Sequence, residues 1–81
     1  MPKARVYVTL KKSVFDPQGR TLHDALASMG YEGVADVRQG KFFELDLEGM
    51  PAERAKETVE EIARRVLANP VIETYRVEVE P

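Results

Sequence analysis

A lone histidine, a row of carboxylates and a small basic cluster are the side chains here whose type and spacing could do chemistry. His23 stands beside Asp24, a neighbour able to orient an imidazole for proton transfer. Acid–base work also needs a pocket for a substrate, and His23 falls on the flank of a short helical stripe, so a surface or boundary role is expected. Glu44, Asp46 and Glu48 alternate along one stretch and could gather a hard cation. Strand alternation makes such rows by default, and no histidine is fixed beside them, so no metal site is expected. Lys11, Lys12 and Arg20 flank a turn that leads into a helix, a setting in which anions can bind. No glycine-rich phosphate loop or dinucleotide fingerprint accompanies them, and a solvated basic edge is the plainer reading. The absence of cysteine removes thiol nucleophiles, disulfides and zinc–thiolate sites. No residue is expected to be catalytic, to bind a cofactor or to ligate a metal.

The elements that carry these residues follow from periodicity. In Lys3-Ala4-Arg5-Val6-Tyr7-Val8-Thr9-Leu10-Lys11, Ala4, Val6, Val8 and Leu10 share one face and Arg5, Tyr7, Thr9 and Lys11 the other, a half-buried strand. Asp16-Pro17-Gln18-Gly19 has the residue order of a type I turn. From Thr21 the period changes, and Leu22, Ala25, Leu26 and Met29 form one stripe of a helix that Gly30 ends. Residues 34–39 read as a weak strand, with a tight turn at Gln39-Gly40. A clearer strand follows, in which Phe43, Leu45 and Leu47 alternate with acids. Pro51 opens a second helix whose apolar positions are Ala55, Val59, Ile62, Ala63, Val66 and Leu67. Glu60–Arg64 and Glu61–Arg65 pair on its wet side, and Pro70 stops it at Asn69. In the last strand Val71, Tyr75, Val77 and Val79 point one way and Thr74, Arg76, Glu78 and Glu80 the other, with Glu73 breaking the inward face so that the alternation is cleanest from Tyr75.

The order β-α-β-β-α-β predicts one α+β domain over residues 1–81, a four-stranded antiparallel sheet with both helices on one face. The other sheet face then has no cover, and Tyr7, Thr9 and Phe42 lie on it. With 81 residues the chain can hardly enclose a ligand pocket and keep a core as well. Fourteen acids against twelve bases give a net charge of −2, which opposes binding through neutralised phosphates. No apolar run approaches a bilayer span, and no signal-peptide core is present. A soluble cytoplasmic domain that works with partners is expected. The charge fraction, the missing cysteine and the single asparagine lean toward a heat-adapted source.

Four strings narrow the reading: Val6-Tyr7-Val8-Thr9-Leu10-Lys11, Val14-Phe15-Asp16-Pro17-Gln18-Gly19, Val37-Arg38-Gln39-Gly40-Lys41, and Leu67-Ala68-Asn69-Pro70-Val71-Ile72-Glu73 with Tyr75 just after it. In combination and at this length, the chain resembles the PurS family, the small subunit of phosphoribosylformylglycinamidine synthase. The likeness runs from end to end; one difference is Phe15, where an aliphatic residue is the more usual. The resemblance implies a subunit of a complex in purine biosynthesis that uses ATP and glutamine to turn formylglycinamide ribonucleotide into its amidine. A large synthetase subunit would carry ATP and Mg, and a glutaminase subunit with a nucleophilic cysteine would release ammonia. This chain would join the two, hold no cofactor of its own and be inactive alone.

On that reading Asp16, Gln18, Gly19, Asn69, Ile72 and Glu73 are expected to contact, or to present contacts to, a partner subunit. Tyr7 and Phe42 are expected at a homodimer or larger interface through the sheet face or a strand edge. Two rivals come from other classes. RNA-recognition modules share the strand order and stack bases on sheet aromatics, but their aromatic-and-basic consensus is absent and the charge is wrong. A small regulatory domain that binds a metabolite between paired subunits shares the fold and is separated only by ligand binding.

Overall fold

The computed structural model describes residues 3–80. Three strands and two helices succeed one another: β1 (Lys3–Leu10), α1 (Pro17–Ser28), β2 (Gly40–Asp46), α2 (Ala52–Ile62) and β3 (Glu73–Glu80). The sheet has the order β2-β1-β3 and both ladders are antiparallel. Lys3 pairs with Asp46 on one side and Glu80 on the other, so β1 is the central strand and two edges are free.

The expected four-stranded sheet is therefore corrected to three strands. Residues 34–39 form no strand, and two of their N–H groups are taken by side-chain carboxylates. Val37 N–H donates to Asp36 Oδ1 at 2.9 Å and Gln39 N–H to Asp16 Oδ2 at 2.7 Å. An N–H already bonded to a carboxylate is lost to a ladder.

Period two in β1 delivers what its sequence promises. Ala4, Val6 and Val8 are buried against Ala55, Val59 and Ala63 of the second helix and its continuation, with Leu47 and Ala68 closing the cluster. Small residues on the helix let its axis come close to the sheet. Tyr75, Val77 and Val79 pack on the same cluster from β3, with Phe43 and Leu45 from β2. The i,i+4 helix runs to Ile62 and then widens to a π turn over Ala63–Leu67 before Ala68 turns extended.

The second correction concerns α1. The two helices do not share one sheet face: α2 packs on β1 and β3, whereas α1 has no comparable packing on the sheet. Of its twelve residues only Gly19 is buried. Leu22 and Met29 of the apolar stripe are open to solvent, as are Tyr31 and Val34 just beyond it. The molecule is accordingly long, 49 × 26 × 14 Å, with a radius of gyration of 16.1 Å. A compact chain of this length would have about 12 Å. The helix also starts earlier than its stripe. Asp16 is its N-cap and Pro17 its first residue, so the expected type I turn is the helix entry itself. Gly30, at φ 93°, ends it as the sequence implies.

Candidate functional site

Asp16 organises the end of the molecule where α1 leaves the sheet. Its side chain is buried, with one carboxylate oxygen accepting from Gly19 N–H at 2.9 Å and the other from Gln39 N–H at 2.7 Å. One side chain thus caps a helix and ties down the segment before β2. The Gln39 and Gly19 N–H groups, with the Arg38 charge nearby, hold the Asp16 carboxyl below the usual carboxylate range against the opposing effect of burial. Gly19 is required by space: a Cβ there would sit 2.1 Å from the Val37 carbonyl oxygen. Arg38 completes the joint by donating to the Lys11 and Val14 carbonyls at 2.9 and 2.8 Å.

The segment 69–73 meets the same joint. Asn69 N–H donates to Glu73 Oε1 at 2.7 Å, the Asn69 side chain accepts from Val71 N–H, and its carbonyl accepts from Ile72 and Glu73. Lys11 N–H donates to the Ile72 carbonyl at 2.8 Å, which carries the β1–β3 pairing one step past the strands. Lys41 Nζ lies 3.4 Å from Glu73 Oε2. Leu10, Asp16, Gln18, Gln39, Gly40, Lys41 and Glu73 together line an open cleft of about 210 Å³. Phe15, Val71 and Ile72, at this same end, expose apolar surface. Apolar groups beside a polar concavity resemble the make-up of a protein interface.

The uncovered sheet face is the second surface. Tyr7 and Phe42 rings lie 5.1 Å apart at 37°, and the Arg76 guanidinium sits 4.2 Å over the Tyr7 ring. Tyr7 OH donates to Glu78 Oε1 at 3.1 Å, and Arg5 pairs with Glu78 and Glu80. Hydrogen bonds from Arg5 and Tyr7 pull the Glu78 carboxyl below its usual range. These pairs keep the face polar and ordered while leaving Phe42 half-exposed.

A family model described as phosphoribosylformylglycinamidine (FGAM) synthase, PurS, matches residues 3–81. The chain belongs to the PurS family. The PurS subunit of Bacillus subtilis is 51% identical over 81 residues, spanning 99% of this chain and 94% of that one. A solved B. subtilis PurS structure superposes with a TM-score of 0.88 at 49% identity, covering all of both chains. A chain in the structure of PurLQS from Thermotoga maritima superposes with a TM-score of 0.85 at 30% identity, covering 99% of each. The protein is a small subunit of FGAM synthase, an enzyme of purine biosynthesis.

Set in a PurS subunit, the eight singled-out residues fall into two groups. Asp16, Gln18, Gly19, Asn69, Ile72 and Glu73 come together at the joint although they lie some fifty residues apart in the chain. Tyr7 and Phe42 stand side by side on the sheet face. Arg38, Gln39 and Lys41 are the residues that reading by element missed. They sit in a string that carries the PurS likeness, but alternation assigned them to a strand and a turn, which gives their side chains no task. His23 accompanies Asp24 on α1, with its Nδ1 3.1 Å from Asp24 Oδ1.

Proposed function

We propose that this PurS chain joins a synthetase and a glutaminase subunit and supports ammonia transfer between them, without chemistry of its own. The observation that carries this reading is the full-length likeness to a chain in the T. maritima PurLQS structure. The residues agree with it: there is no cysteine to attack glutamine and no phosphate loop to hold ATP. ATP and Mg then belong to the large subunit, and a cytoplasmic location goes with the pathway. The joint built by Asp16, Gln18, Gly19, Asn69, Ile72 and Glu73 is the docking end. It is tied by backbone and side-chain hydrogen bonds, carries exposed apolar groups and gathers the strings on which the family likeness rests.

The same reading includes self-association. Among the described residues Leu22 and Met29 of the α1 stripe are left exposed, and an amphipathic helix gains stability by covering such a stripe. A homodimer in which α1 packs against a second copy meets this need, with the Tyr7–Phe42 face as a further surface for contact between copies. The test is reconstitution with the two partner subunits. Glutamine-dependent amidine formation should need all three chains, and the isolated chain should neither hydrolyse ATP nor turn over glutamine. Full glutamine-dependent activity of the two larger subunits without this chain would overturn the bridging role.

A further inference from the structure

At the joint, Gln39 Nε2 donates to Gln18 Oε1 at 2.7 Å. This amide bridge lies between two concavities, because both glutamines line both of them. On one side is the cleft of about 210 Å³ with Asp16, Lys41 and Glu73. On the other is a shallow depression of about 370 Å³ along α1 with Pro17, Thr21 and Leu22. We propose that an extended segment of a partner subunit lies across the amide bridge, its main chain paired with the two glutamine amides. Side chains two residues apart in that segment occupy the two concavities. The proposal rests on the reading of this end as a docking surface and specifies what docks there.

Hydrogen-bond accounting selects the occupant. A glutamine amide carries two N–H donors and a carbonyl acceptor. The bridge uses one donor of Gln39 and one lone pair of Gln18, which leaves Gln18 both donors and a second lone pair, and Gln39 its second donor and its carbonyl. One donor beside one acceptor is the complement of a peptide unit. On both nearby carboxylates each oxygen already has a partner. Asp16 is occupied by two backbone N–H groups, and Glu73 by Asn69 N–H and Lys41. A cationic occupant is therefore not called for, and an anionic one would meet two carboxylates. A free metabolite is disfavoured because small-molecule sites usually enclose most of their ligand, whereas the cleft of about 210 Å³ is open and the depression of about 370 Å³ is shallow. Alternation along an extended chain sends residues i and i+2 to the same side, about 7 Å apart. The depression beside Pro17 and Leu22 accepts an aliphatic side chain, and the cleft beside Lys41 a small polar one.

The test uses the three-subunit complex and reads the affinity of this chain for its partner subunits. Gln18→Glu keeps the oxygen that Gln39 uses and removes both free donors. Gln18→Met removes the hydrogen bonding without adding charge. Both should weaken assembly by roughly tenfold while melting temperature and self-association stay as in the native chain. Val71→Asp, on the exposed rim, reports on docking at this end independently of the amide chemistry. Weakening by both Gln18 variants supports the proposal whichever way Val71→Asp behaves. If Val71→Asp weakens assembly while the Gln18 variants bind normally or more tightly, the peptide-across-the-bridge proposal falls and the docking reading stands. If all three variants assemble as the native chain does, both fall.

Discussion

Asp16 and Gly19 show how a few atoms fix the relation between a helix and a sheet that barely touch. Asp16→Asn keeps the shape but exchanges one acceptor oxygen for a donor that faces a backbone N–H. It should lower the melting temperature by several degrees and weaken glutamine-dependent activity of the reconstituted complex. Gly19→Ala drives a methyl group into the Val37 carbonyl and should do the same; thermal unfolding of both variants checks the pair. The pH dependence has a defined sign. The folded carboxyl titrates below its ordinary value of 3.8, so the stabilisation is fully present above that value. It is lost only as pH falls through the lower, folded value. Acid unfolding followed by circular dichroism should show this loss in the native chain, and Asp16→Asn should remove that component. The joint residues were expected to contact a partner because their two segments fall at a turn and at a helix end. Nothing local told Asp16 the turn former from Asp16 the helix cap, because both roles favour the same residue, and its second bond, to Gln39, spans 23 positions.

At the scale of elements, α2 and β1 were readable because each has one core to face. Alternation in β1 and the i, i+4, i+8 run Ala55, Val59, Ala63 meet in one cluster, and all three helix residues are fully buried. Val59→Ala should cost about 2 kcal/mol, since it removes packed methyl groups from that contact; chemical denaturation measures it. The strand expected at 34–39 did not form, two of its N–H groups being held by carboxylates rather than a neighbouring strand. The stripe on α1 was read correctly as amphipathic, but amphipathicity says only that a cover exists and not that it lies in the same chain. Leu22→Glu with Met29→Glu therefore should leave the melting of the sheet nearly unchanged and shift sedimentation equilibrium toward the monomer. A native chain that remains monomeric over a wide concentration range would contradict the assignment of that cover to a second copy.

At the scale of the whole molecule, a three-stranded body and a projecting helix separate two tasks that a small domain usually combines. The body holds the core, and the joint at one end presents, at the base of the arm, the groups proposed to dock a partner. Tyr7→Glu with Phe42→Glu reaches the third surface: if copies also meet through the sheet face, higher assemblies should dissociate while binding to the synthetase and glutaminase subunits persists, as light scattering of the complex would show. The pairing of Lys3 with Glu80 carries a further implication, one of timing. Since β1 is central, its second ladder closes a loop of nearly eighty residues, and such non-local closure slows folding. On the ribosome β1 is made first but must wait for β3, with only β2 able to pair with it in the meantime. A chain interrupted before residue 73 would leave Val6 and Val8 on a strand with one edge unpaired and no β3 beneath α2. Chains that lack β3 should therefore be cleaved faster in limited proteolysis than chains that carry it, since the β1 edge and the core cluster are then left uncovered.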